Sequence, residues 1–294
     1  MKNIIIIFLL LNAFGCKQKA VQKENNKTTD NVEEVNPVKE LFAKMEADAL
    51  KEPYVGIFTK DIDSTDLFQI HSTGVSTLPI QKAAGSFLNS LSPSQLQRTT
   101  FDINDEEWRK WCNVDNGIYD RQGVSLKELT EIQKKDAFKL IQESLSVKGL
   151  QLSKDIMKTD QTIKELNNGS LDYDEELYFF TIMGTPSSIE PWGWQLDGHH
   201  LVINYFILGD QVVMSPVFMG GEPIITTSGK YKGNTLFQDE QNFGLTLMKS
   251  LSPEQQKEAT ISNFKTENNN VAEANKDNLT LNYEGIQVSK FSNE

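Results

Sequence analysis

The most informative segment for the fold is LVINYFILGDQVVM, residues 201–214, in which two apolar runs flank Gly209-Asp210. A glycine-aspartate pair between β-branched and aromatic residues is typical of a two-residue turn that joins antiparallel strands. Such a turn sets Leu208 opposite Gln211 and thereby fixes the pairing of the two strands. The sequence therefore predicts a β-hairpin at the centre of an antiparallel sheet.

Helical patterns lie on both sides of this hairpin, because apolar residues recur there at helical spacing. These patterns cover residues 41–49, 80–91, 125–146, 153–166, 239–251 and 253–264. Runs rich in β-branched and aromatic residues cover 177–183, 200–208 and 211–217. The order predicts an α+β fold, in which a helical N-terminal part packs on an antiparallel sheet with a central hairpin and helices return at the C-terminus.

The N-terminus has the pattern of an export signal. Lys2 precedes the apolar run Ile4–Leu11, which as a helix rises only about 12 Å and falls far short of a ~30 Å hydrocarbon core. Ala13-Phe14-Gly15-Cys16 follows and resembles a lipobox. We therefore expect residues 1–15 to be a lipoprotein signal peptide and Cys16 to be the lipidated residue that binds the lipid bilayer. The alternative is an ordinary secretory signal with a chance cysteine.

A polar segment follows the cysteine. Lys17 to Asn36 has almost no large apolar residue, so residues 16–36 are expected to form a lipid anchor and a flexible tether. No Pro/Gly/Ser-rich linker divides residues 37–294, which are expected to form a single globular domain. The expected location is the bacterial cell envelope, at the periplasmic or outer-membrane face. The net charge of −12 disfavours nucleic acid and anionic lipid surfaces, leaving a small molecule or an envelope protein as the expected partner.

Carrying the strand pairing outward from the turn groups three polar residues. His199 comes opposite Gly220 and Asp197 comes opposite Glu222, so that Asp197, His199 and Glu222 share one face of the ribbon. An imidazole between two carboxylates suits a general base, and it equally suits a ligand set for a divalent metal. The three residues are therefore candidate catalytic residues and candidate metal ligands. The alternative is a buried histidine that only fixes a loop.

The residues around this group are candidates for ligand binding. Trp192 and Trp194 offer aromatic faces for stacking a sugar or an aromatic ligand, although a Trp-Gly-Trp run also serves to anchor a loop to the core. His200 is expected on the opposite face of the strand. The missing side chain of Gly220 is expected to leave room for a ligand.

Two functions are compatible with these residues. The first is an envelope lipoprotein of unknown biochemical activity, whose domain binds a ligand or a partner protein. The alternative is a metal-assisted or acid/base hydrolase that uses Asp197, His199 and Glu222. The sequence has no glycine-rich phosphate loop, no cysteine-histidine cluster of zinc spacing and no G-x-S-x-G elbow. No motif therefore decides between the two.

A longer pattern around this group resembles a known family. The run PWGWQLDGHHL at residues 191–201, followed by PVFMGGEP at 216–223, resembles the uncharacterised family named domain of unknown function number 3500. The resemblance extends from about Leu41 to the end of the chain, and it implies a secreted or envelope protein with no activity attached. The family's domain is expected to continue past Tyr283–Ile286 with a later histidine-containing segment, so this chain is expected to be a short, C-terminally truncated member.

Overall fold

The computed structural model describes residues 36–59, 69–264 and 276–291. The predicted signal peptide, Cys16 and the predicted tether up to residue 35 lie outside these residues, so lipidation and tethering stay predictions. Within the described ranges, no helix has both the length and the hydropathy that crossing a bilayer requires.

The described helices begin mostly at side-chain caps. They are α1 Pro37–Ala49, α2 Leu78–Ser90, α3 Pro93–Thr99, α4 Glu131–Ser144, α5 Val147–Leu166, α6 Gln238–Ser250 and α7 Pro253–Ala259. The predicted helix over residues 125–146 is wrong in its first turn, where Leu126–Glu128 form a separate 3-10 helix. The reason is a second capping box, in which Thr130 and Gln133 satisfy each other's backbone N–H groups and start α4 afresh.

The described strands form one large sheet and one small one. They are β1 Gly56–Thr59, β2 Thr100–Phe101, β3 Val124–Ser125, β4 Tyr178–Met183, β5 Trp192–Gly198, β6 Leu201–Leu208, β7 Gln211–Val213, β8 Val217–Met219 and β9 Asn278–Leu281. The large sheet has the order β2-β4-β5-β6-β7, with β3 also paired to β4 and β8 to β6. It is antiparallel except for the parallel β2–β4 pair, while β1 and β9 form a separate parallel pair. The α+β class is confirmed, with a mixed and largely antiparallel sheet.

The predicted hairpin turn between β6 and β7 is confirmed, because Leu208 pairs with Gln211. Farther from the turn the register changes by one residue, since Leu201 pairs with Met219 of β8. Pro216 lies in the gap between β7 and β8, and it has no N–H to donate to the strand ladder. The predicted strand 211–217 is therefore two strands with different registers.

A second chain reversal, which the sequence pattern did not indicate, separates β5 from β6. Gly198 pairs with Leu201, so the chain turns at His199-His200. Asp197 consequently pairs with Val202 across the β5–β6 hairpin. The predicted extension of the strand pairing outward from residues 200–208 to Asp197 is wrong, and with it the predicted pairings of Asp197 with Glu222 and of His199 with Gly220.

Strand β5 is buried on both faces of the sheet. Trp192, Trp194 and Leu196 pack into the main hydrophobic core together with side chains of α2, α4 and α5. Asp197 points to the other face, towards the segment 102–123. Helix α5 packs on the same face as the tryptophans, and its Asp160 contacts His199 in the turn between β5 and β6.

Candidate metal centre

The two adjacent histidines form the turn that joins β5 to β6. His200 has φ 59°, a left-handed conformation that few residues other than glycine adopt. The backbone of this residue is held on both sides, because its C=O accepts from the Gly220 N–H at 2.8 Å and its N–H donates to the Asn113 C=O at 3.1 Å. Both imidazoles therefore project from a fixed reversal of the chain.

A buried carboxylate orients the first imidazole. Nδ1 of His199 lies 2.6 Å from Oδ1 of Asp160, whose side chain is fully buried in α5. The other oxygen of Asp160 accepts from the Tyr178 hydroxyl at 2.7 Å. Burial, together with the negative charge of Asp160, raises the pKa of Tyr178 well above its ordinary value, so the phenol stays a donor. With Nδ1–H facing Asp160, the lone pair of His199 is left on Nε2.

The second imidazole and an exposed carboxylate complete the group. The rings of His199 and His200 are stacked, with centroids 3.9 Å apart. Nε2 of His200 lies 3.5 Å from Oε2 of Glu222, a side chain that is 72% exposed. Burial and the neighbouring His199 lower the pKa of His200, which favours the neutral imidazole that binds metals.

The three side chains converge as metal ligands do. One ligand atom each from His199, His200 and Glu222 lies within 4.8 Å of the other two. Ligands about 2.1 Å from a tetrahedral ion are roughly 3.4 Å apart, so small side-chain rotations would close the site. Among the described residues no other set of three histidine, cysteine, aspartate or glutamate side chains converges in this way.

Asp197, predicted as a member of this group, lies on the opposite face of the sheet. Its carboxylate pairs with Nε of Arg121 at 3.1 Å, and burial raises the pKa of Asp197 to about 6 although Arg121 lowers it. Arg121 also donates to the C=O of Cys112 and of Val114. Asn113 lies between Cys112 and Val114, and its C=O accepts a hydrogen bond from the His200 N–H. Asp197 and Arg121 therefore stabilise the segment that holds the turn and do not contact the three converging side chains.

The other predicted ligand-binding residues are divided between the core and the turn. Trp192 and Trp194 are fully buried. Nε1 of Trp192 donates to the Ser187 C=O, and Trp194 stacks on Tyr205. Their placement agrees with the alternative of a Trp-Gly-Trp run that anchors the chain to the core. Gly220 lies beside His200, where a Cβ would come within 2.8 Å of the Phe218 ring, so the glycine permits close packing of this strand on the turn.

Asp160 and Tyr178 are the site residues that the sequence analysis missed. Asp160 lies on the buried face of α5 between Met157 and Ile163, at a position where the helical period calls for an apolar side chain. A charged residue within an apolar stripe signals a buried partner. That signal was available in the sequence, although the identity of the partner was not.

Comparison with known proteins identifies a family for this chain but no individual relative. Comparison with curated proteins and with solved structures found no match to the chain. A family model matches residues 73–294, which include all of the converging side chains and Asp160. The match begins later than the expected start near Leu41. The chain therefore belongs to the family described as protein of unknown function (DUF3500).

Proposed function

We propose that this protein is an envelope lipoprotein whose domain binds one divalent transition-metal ion between His199, His200 and Glu222. The observation that carries the proposal is the convergence of these three side chains within 4.8 Å. The buried hydrogen bond from Nδ1–H of His199 to Asp160 strengthens it, since metal-bound histidines nearly always donate their second ring N–H to a carboxylate, a backbone carbonyl or water.

The donor set indicates the class of metal. Two imidazole nitrogens and one carboxylate oxygen suit zinc, iron, nickel or copper better than calcium or magnesium, which prefer sets made of oxygen alone. The proposed ligand set keeps His199 and Glu222 from the sequence prediction. It replaces Asp197, which pairs with Arg121 on the other face, by His200.

Metal content and metal binding test this proposal. The chain purified without added metal should contain close to one equivalent of a transition metal by elemental analysis, and a chelator should lower its melting temperature. The variants H199A, H200A and E222Q should each lose the metal. The matched controls H71A and E190Q remove an exposed histidine and an exposed glutamate elsewhere and should keep it. A metal-free chain that does not bind Zn²⁺ in calorimetry and melts unchanged with chelator would refute the metal site.

The envelope location has its own test. The proposal is supported by the apolar run Ile4–Leu11 and by Cys16 directly after Gly15. In a bacterial host, C16S should move the protein from the membrane fraction to the soluble fraction. C112S, which removes the other cysteine of the sequence, should stay in the membrane fraction. Membrane retention of C16S would count against lipidation.

A second candidate function is hydrolysis, which one observation supports. Three protein ligands leave at least one coordination position of the metal for water or substrate, and the exposure of Glu222 opens the site to solvent. A hydrolase would cleave an activated ester such as p-nitrophenyl acetate, and H199A and chelator would abolish the cleavage. Cleavage that H199A retains would exclude this site as the catalyst.

A further inference from the structure

A cleft between α4 and α5 is lined by residues other than those of the candidate metal site. Its volume is about 320 Å³, and its lining includes Lys135, Phe138, Lys139, Leu150 and Lys154. Small-molecule sites begin at about this volume. The cleft therefore has the size for a small ligand.

The floor of the cleft is apolar. Phe138 of α4 and Leu150 of α5 are only partly buried and pack against the main core, so each keeps an open face towards the cleft. Nζ of Lys154 lies 5.1 Å from the centroid of the Phe138 ring, a cation–π distance. A positive charge thus lies over the apolar floor.

The rim of the cleft is basic, in a chain that carries a net charge of −12. Three lysines line the cleft against one acidic residue, Asp136. Lys139 pairs with Glu143, whereas Lys135 and Lys154 form no ion pair with any described residue. The local charge is therefore opposite in sign to that of the whole chain, and it attracts anions that the rest of the surface repels.

We propose that this cleft binds a free amphipathic anion, a molecule with a carboxylate or phosphate head and a short apolar body. The head lies between the ammonium groups of Lys135 and Lys154, neither of which is engaged in an ion pair with a described carboxylate. The apolar body covers Phe138 and Leu150 and removes their open faces from water. The charge pattern and the apolar floor together select such a molecule over an inorganic anion and over a neutral one.

Calorimetry with decanoate below its micellar concentration tests the site. The full chain is first treated with chelator, so that the measurement does not depend on the candidate metal site. Decanoate should bind, whereas acetate and decyltrimethylammonium should not. The variant K135Q/K154Q should bind decanoate roughly tenfold more weakly or worse. The matched control K232Q/K249Q removes two exposed lysines elsewhere and should bind like the wild type.

Three results would overturn the proposal. Equal binding of decanoate and decyltrimethylammonium would show that charge does not select the ligand. Equal weakening in K135Q/K154Q and K232Q/K249Q would show that the effect comes from net charge and not from the cleft. If the chain binds vesicles that contain phosphatidylglycerol but calorimetry detects no binding of decanoate, the lysines would contact a membrane surface and not a small molecule.

Discussion

Replacing Glu107 by glutamine should change how folding stability depends on pH, because this carboxyl is buried with few partners. Glu107 is 1% exposed, and its Oε2 has no hydrogen-bond partner among the described residues. The ammonium group of Lys110 is 3.9 Å away. Burial raises the pKa of Glu107 to about 8; the charge of Lys110 lowers it, and the negative charge of Asp197 raises it.

The sign of the effect follows from proton binding. In the unfolded chain a glutamate has a pKa near 4.5, so between that value and about 8 the folded protein holds a proton that the unfolded chain releases. The stability linked to Glu107 is therefore fully present below pH 4.5 and is lost as the pH rises towards 8. Each pH unit inside this window costs about 1.4 kcal/mol, which amounts to about 3 kcal/mol between pH 5 and pH 7.5.

Urea unfolding of the wild type and of E107Q at pH 5 and pH 7.5 measures this loss. Since the amide does not ionise, E107Q should gain up to about 3 kcal/mol in unfolding free energy relative to the wild type on going from pH 5 to pH 7.5. Asp197 is present in both proteins and largely cancels in the comparison. The exposed control E190Q should differ from the wild type by no more than about 0.5 kcal/mol. The same difference between E107Q and the wild type at both pH values would refute the argument.

Two further predictions concern the support of the candidate metal site. D160N should lower the affinity for Zn²⁺ by about 10- to 100-fold in calorimetry, because the amide replaces the carboxylate that orients His199. D155N on the same helix is the control. Equal Zn²⁺ affinities of D160N and D155N would contradict the role of Asp160. G198A should lower the unfolding free energy by about 1–3 kcal/mol in urea, because its Cβ would lie 2.6 Å from Cε1 of Tyr178. G85A, whose Cβ would meet nothing within 4 Å, should not destabilise the protein, and a G198A variant as stable as the wild type would show that the ring of Tyr178 moves freely.

The sequence predicted those elements whose residues carry a local signal, such as a turn with a characteristic residue pair. The turn at Gly209-Asp210 has a recognised residue pair, and the structure has the predicted pairing of Leu208 with Gln211. Strand β5 has no comparable sequence signal. All of its residues are buried, so no alternation of polar and apolar residues distinguishes it from a buried loop. The turn at His199-His200 has neither glycine nor asparagine at its left-handed position, so turn chemistry did not indicate it.

The partners of the site residues could not be predicted, because they come from distant parts of the chain. Asp160 meets His199 across 39 residues of sequence, and Arg121 meets Asp197 from a segment without α-helix or β-strand. Both contacts depend on how α5 and the segment 102–123 pack on opposite faces of the sheet. The helical spacing of apolar residues in α5 indicates that Asp160 is buried, but this spacing does not identify the side chain that Asp160 contacts.

The error in the predicted site follows from one physical assumption, that side chains alternate from face to face along a strand. On a continuous strand, His199 and His200 would point to opposite faces, and Asp197 would join His199. In a two-residue turn this alternation does not hold, and the two rings stack with their centroids 3.9 Å apart. The reversal turns Asp197 away to Arg121 and brings His200 to Glu222. The candidate site therefore depends on the turn, and an adjacent pair of histidines after a glycine is compatible with a chain reversal as well as with a strand.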